Sequence, residues 1–230
     1  MGYLQNMCPD DLKAAIEELP LFIATGTIEF HGSQLPLGTD LIITEGIIRE
    51  IEKRTNVIVA PSFSFCPTGY MVSGPNNGTA DIHIGTFIEY CSEILLSYKK
   101  MGFRKIYVIV HHQSDSIAKY LECAVDQVNL YSLNEEYGDG WWTNKKEITQ
   151  TCEIKIMPAV FGSKSVKEAF GGHGGVGETQ AIMALSPESI MMNNIKESEP
   201  WWNSNACKAD KIEADKKMNE LIDSWLEILS

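Results

Sequence analysis

"TFIEYCSEILLSYKKMGFRKIYVIVHH", Thr86 to His112, is the stretch from which the fold is read. Thr86 and Glu89 stand at capping-box spacing, and Ile88, Cys91, Leu95 and Tyr98 recur at intervals of three and four, which predicts an amphipathic helix. Gly102 follows where a left-handed C-cap is expected. "KIYVIV" (105–110) is then a continuous apolar run, the pattern of a strand buried on both faces of a parallel sheet. A helix feeding such a strand predicts an α/β fold of three layers, a mostly parallel sheet flanked by helices. His111 and His112 stand at the carboxyl end of the strand, the edge where open parallel sheets hold their ligands.

The alternation extends in both directions. "PDDLKAAIEEL" (9–19) reads as a short acidic helix, "LFIATGTIEF" (21–30) as a buried strand reaching Glu29, "LIITEGIIREIEKRT" (41–55) as a helix and "NVIVAPSFSF" (56–65) as a strand. "SIAKYLECAVDQVNLY" (116–131) and "EIKIMPAVFG" (153–162) continue the order as helix and strand. The tail from Lys208 to Leu229 puts Met218, Leu221, Ile222, Trp225 and Leu229 on one stripe, expected as core or subunit interface. Residues 66–81 and 133–147, rich in Gly, Asn and aromatics, are expected as loops bordering a pocket.

The 230 residues, 44% hydrophobic, suffice for one core, and a single domain over 1–230 is expected. A net charge of -12 with no basic cluster argues against nucleic acid as a partner. Six cysteines without CxxC spacing and without a signal peptide read as reduced thiols of a soluble, cytoplasmic protein. No apolar run reaches the roughly 18–20 residues that a membrane span needs.

Three polar clusters fall just past apolar runs: Glu29, His31 and Asp40 in "GTIEFHGSQLPLGTD" (26–40), His111 and His112, then His173 and Glu178 in "GGHGGVGETQ" (171–180). They hold four of the five histidines. Carboxylates near a buried strand end are costly unless paired, and a divalent cation offers the compensation. A mixed Asp, Glu and His shell suits Zn, Mn or Fe.

"TIEFHGSQLPLGTD" resembles the signature of the creatininase family, in which a Glu-x-His pair precedes "HLPLGTD" with its aspartate nine residues after the histidine. "VIVHHQSD" stands where the family has a strand leading into "NGHGGN" or "GHxEN", "NNGTADI" resembles its "PGT" loop, and "GGHGGVGETQ" resembles "HAGxxETS". The resemblance implies a creatininase-like fold and a centre of one or two ions bridged by Asp40. One ion would take Glu29, Asp40 and His112, the other His31, Asp40 and a further carboxylate, with His173 as proton shuttle. Ser114 stands where creatininase has the glutamate of the second ion, so Glu178 is the expected substitute, as ligand or catalytic residue.

His111, Gln113 and Ser114 replace small residues and are expected as substrate contacts; by strand alternation only one of His111 and His112 should reach metal. Trp141 and Trp142, after "YGDG", are expected as an aromatic lid over the substrate. The resemblance further implies a small-molecule substrate and a homo-oligomer, hexamers being among the family's assemblies. The expected activity is metal-dependent hydrolysis of a small cyclic polar substrate through a metal-activated water, foremost at a C–N bond of a cyclic amide. The alternatives are ring opening of a cyclic keto-inositol (3-dehydro-scyllo-inosose), which would place the protein in inositol catabolism, and a metal-free binding domain with a degenerate site.

Overall fold

The computed structural model describes residues 2–112, 115–144, 152–195 and 200–230. Five strands, β1 (Gly2–Tyr3), β2 (Leu21–Thr25), β3 (Ile58–Val59), β4 (Lys105–Val110) and β5 (Glu153–Pro158), form one sheet in the order β1-β3-β2-β4-β5. Every pairing is parallel. Seven α-helices connect and cover them: α1 (Pro9–Ala15), α2 (Thr39–Glu52), α3 (Ile84–Met101), α4 (Asp115–Tyr137), α5 (Lys164–Phe170), α6 (Val176–Leu185) and α7 (Lys211–Leu229).

Side-chain alternation along β2 and β4 divides the core into two layers. Leu21, Ile23, Ile106 and Val108 pack with Phe87, Cys91 and Leu95 of α3 and Ile117 and Leu121 of α4. Phe22, Ala24, Tyr107 and Ile109 face the other way, onto Ile43, Ile47 and Ile51 of α2 and Leu221, Ile222 and Trp225 of α7. This is the expected three-layer α/β architecture. The amphipathic tail is core: Trp225 is fully buried, and its Nε1–H donates to the Ala159 carbonyl at 3.1 Å.

Several boundaries differ from the sequence reading. β2 ends at Thr25 rather than Phe30, because α2 crosses there: a Cβ at Gly26 would lie 2.5 Å from the Leu41 backbone nitrogen. Glu29 and His31 therefore sit on a loop beyond the strand. The third strand shrinks to Ile58–Val59, ahead of Pro61, which has no N–H for the ladder; one further bridge joins Thr25 to Phe63. α3 begins at Ile84, capped by the His83 side chain, which accepts from the Gly85 N–H, so Thr86 lies inside the first turn and is not the cap. Gly102 does take the left-handed C-cap, at φ 111°. α4 continues to Tyr137 and absorbs part of the expected 133–147 loop. Among the described residues, no helix is long and apolar enough to cross a membrane.

Candidate metal centre

The carboxyl ends of β2 and β4 lie side by side, and the loops leaving them carry the polar clusters to one place. After β2 the chain closes on itself, with Glu29 N–H bonded to the Leu37 carbonyl at 2.8 Å, and Asp40 enters the first turn of α2. His31 donates from Nδ1 to the Glu29 carbonyl at 2.8 Å, which fixes the ring and turns Nε2 toward the carboxylates. That Nε2 lies 3.4 Å from Asp40 Oδ1 and 3.7 Å from Glu178 Oε2. His112, just past β4, sets Nδ1 3.0 Å from Asp40 Oδ2 and 3.5 Å from Glu29 Oε2.

Two sets of three ligand atoms result: Glu29, Asp40 and His112, and His31, Asp40 and Glu178. Asp40 belongs to both, one oxygen turned to each histidine. A third set, Glu29, His31 and His173, overlaps them. Glu29, His31, Asp40 and Glu178 are at most 1% exposed.

Burial on this scale resists charge, so the balance of protons is informative. Desolvation opposes a charged His31, yet flanking Glu178 and Asp40 raise its pKa to about 10. Asp40 is likewise opposed by burial but held well below the usual carboxylate range by His31 and His112. Burial pushes Glu29 upward, against the pull of His112 and His31. The site thus gathers three carboxylates compensated, among the described residues, by the histidines and by the Gly174 N–H on Glu178. Among the described residues, Glu29 Oε2, His31 Nε2, His111 Nε2 and His112 Nε2 are buried without a hydrogen-bond partner, although buried polar groups are ordinarily satisfied. Oxygen and imidazole donors of this kind fit Zn or Mn.

His173 donates from Nε2 to the Phe30 carbonyl at 2.9 Å, leaving Nδ1 3.9 Å from Glu29 Oε2. Its pKa is lowered, first by burial and then by His31. It is neutral at pH 7, with an unprotonated nitrogen on the cluster side. The ring packs 4.3 Å from His31 and 4.8 Å from Trp202, centroid to centroid. Glu29, Asp40, His112, His173 and Glu178 line a cavity of about 200 Å³, whose remaining wall is Met71, Val72 and Gly172.

Of the other expected site residues, His111 is buried and sets Nε2 3.3 Å from Glu178 Oε1; it is in neither ligand set, whereas its neighbour His112 is. Gln113 and Ser114 lie outside the described residues. Trp141 and Trp142 are not brought to the cluster: Trp141 Nε1–H donates to Asn134, 19 residues into α4 and so roughly 28 Å along its axis from the end near the site. Trp142 is 79% exposed.

The sequence reading missed what holds the second set. Gln34 Nε2 faces the Gly174 carbonyl (2.8 Å), Asn203 Oδ1 (3.1 Å) and Thr179 Oγ1 (3.2 Å), and Asn203 Nδ2 donates back to Gln34 Oε1 at 3.1 Å. Gly174, at φ 60°, lies against both the Trp202 ring and the His31 carbonyl, where any Cβ would collide. Gln34 stands in the quoted motif where the family has histidine, a visible departure; Trp202 and Asn203 carry no local signal.

The family model described as "Creatininase: Creatinine amidohydrolase" matches residues 5–223. Creatinine amidohydrolase of Pseudomonas putida is 22% identical over 197 residues, 83% of this chain and 73% of that protein. The 2-amino-5-formylamino-6-ribosylaminopyrimidin-4(3H)-one 5'-monophosphate deformylase of Methanococcus voltae is 25% identical over 140 residues, 60% of this chain and 50% of that protein. Among solved structures, a creatininase variant complexed with creatine superposes with TM-score 0.77 at 14% identity, covering 99% of this chain and 96% of that one. A manganese creatininase gives 0.77 at 13% and a zinc–zinc form 0.75 at 13%, with the same coverage. At these identities the structures establish a shared fold.

Proposed function

This chain belongs to the creatininase family of hydrolases, and from that premise we propose that it hydrolyses a C–N bond in a small cyclic amide or related polar substrate, using two divalent ions. The observation that carries the reading is the pair of three-ligand sets sharing Asp40, with Glu29 Oε2 and His31 Nε2 buried and unpartnered between them. Glu29, Asp40 and His112 would hold one ion and His31, Asp40 and Glu178 the other. Mn or Zn bound there would acidify a water and polarise the scissile carbonyl. The manganese and zinc–zinc creatininases of the same fold support the choice of metal.

The chain's own groups do the rest. Phe30 fixes the His173 tautomer, so Nδ1 is free to accept a proton beside Glu29 and deliver it to the leaving nitrogen. Met71 and Val72 add an apolar stretch to the cavity wall beside the polar cluster. A volume of about 200 Å³ is below that of drug-sized ligand sites and limits the reacting part to a small ring. The Pseudomonas and Methanococcus relatives, acting on a cyclic amide and a formamide by name, support C–N hydrolysis over ring opening of a keto-inositol.

The test is a substrate panel of creatinine, a formylaminopyrimidine and a cyclic keto-inositol, assayed after chelation and after adding back Mn or Zn. Metal-restored hydrolysis of an amide is the expected result. Turnover confined to the keto-inositol would overturn the substrate class. A chelated protein that neither binds added metal nor recovers any activity would instead be a binding domain.

A further inference from the structure

His111 follows β4 directly and is 4% exposed, yet it is absent from the cavity wall. Among the described residues its Nε2 has no hydrogen-bond partner, and it lies 3.3 Å from Glu178 Oε1. The other oxygen of the same carboxylate, Oε2, accepts the Gly174 N–H at 2.5 Å and faces His31 Nε2 at 3.7 Å. Glu178 is therefore approached at both oxygens by groups of different origin: a strand end at Oε1 and a glycine loop at Oε2.

We propose that His111 is a positioning residue for Glu178: it holds Oε1 so that Oε2 is presented to His31 and Asp40 as the ligand of the second ion. The proposal rests on the two-ion reading above. A glutamate has three rotatable side-chain bonds, and fixing them before the ion arrives removes an entropic cost from binding. Hydrogen bonds in metal-free sites are commonly long and shorten when the reacting species is in place, so 3.3 Å is a suitable resting distance. His111 is not among the described residues that line the cavity, whereas Glu178 is, which separates this role from the substrate contact expected from sequence.

The experiment is Mn²⁺ titration of the full chain, followed by calorimetry and electron paramagnetic resonance, with His111→Phe and His111→Gln. Wild type should bind two ions and show a spin-coupled pair. His111→Phe should keep the first ion, bind the second about 10–100-fold more weakly and show isolated Mn²⁺, the usual cost of losing an outer-shell partner. Its kcat should fall with KM unchanged. His111→Gln, which can still donate, should recover most of the second-site affinity. An unchanged second site in His111→Phe, or a raised KM with both ions retained, would overturn the proposal. If His111→Phe does not fold by circular dichroism, His111→Asn replaces it: its shorter donor must reproduce the loss of the second ion, and an intact second site sinks the idea. A wild type that binds fewer than two ions overturns the two-ion reading itself, a result distinct from any behaviour of the variants.

Discussion

The two ligand sets share Asp40 but are built differently. Glu29, Asp40 and His112 hang from the ends of adjacent strands and the first turn of α2, so pairing β2 with β4 largely assembles them. His31, Asp40 and Glu178 need more. Glu178 enters on α6 and is held through Gly174, whose carbonyl accepts from Gln34 across 140 residues, while Gln34 itself pairs with Asn203 across 169. The first set follows from the sheet, while the second depends on docking a loop and the segment around residue 203. The two halves should therefore fail separately.

The largest effect is expected where they meet. Asp40→Asn removes a ligand from both sets, and bound metal should be lost from both sites, with hydrolysis reduced by more than the ~100-fold that marks loss of an outer-shell partner. Two ions retained by metal analysis would break the shared-bridge picture. Next is His173→Gln, which should lower kcat by about 10²–10⁴-fold while leaving both ions in place, since its proposed task is proton transfer. Loss of metal in that variant would move His173 into the ligand sets.

Gln34→Met should sharpen the comparison, because it removes both Gln34–Asn203 bonds, each worth about 0.5–1.5 kcal/mol, and frees the Gly174 carbonyl. The second ion should weaken about 10–100-fold and the first should not change, as read by titration. A separate effect is expected in pH dependence. In metal-free protein the His31 contribution is fully present below its unfolded value of 6.5 and is lost as pH rises toward about 10, so Tm should fall across that window, by about 2–4 °C for each kcal/mol lost. Glu29, also raised, acts in the same direction at lower pH. Metal-loaded protein should show no such fall, because an ion takes the His31 lone pair in place of the proton. A flat profile without metal would remove the charge argument for the second set.

The contrast also separates what was legible in the chain. Local rules found five of the helices, the buried strand 105–110 and the Glu-x-His…Asp spacing, because each is a pattern of near neighbours, but they missed α5 and the α6 that carries Glu178. They failed where distant contacts intervene. Gly26 meets α2 and cuts β2 short, and His83 rather than Thr86 starts α3. Of the tryptophan pair that reads as a lid, Trp141 bonds to Asn134 near the far end of α4 and Trp142 is exposed.

Sequence alone thus determined the alternation of strands and helices, the edge that carries the charged residues, and the identities of Glu29, His31, Asp40, His112 and Glu178 as the residues to examine. Periodicity and motif spacing are properties of neighbouring residues and need no knowledge of the fold. Only the tertiary structure decided that His111 meets Glu178, that Gln34 meets Asn203 and Gly174, and that Trp202 packs against His173. Those partners come from separate segments, and chain folding around the sheet, rather than any local pattern, brings their side chains within bonding distance.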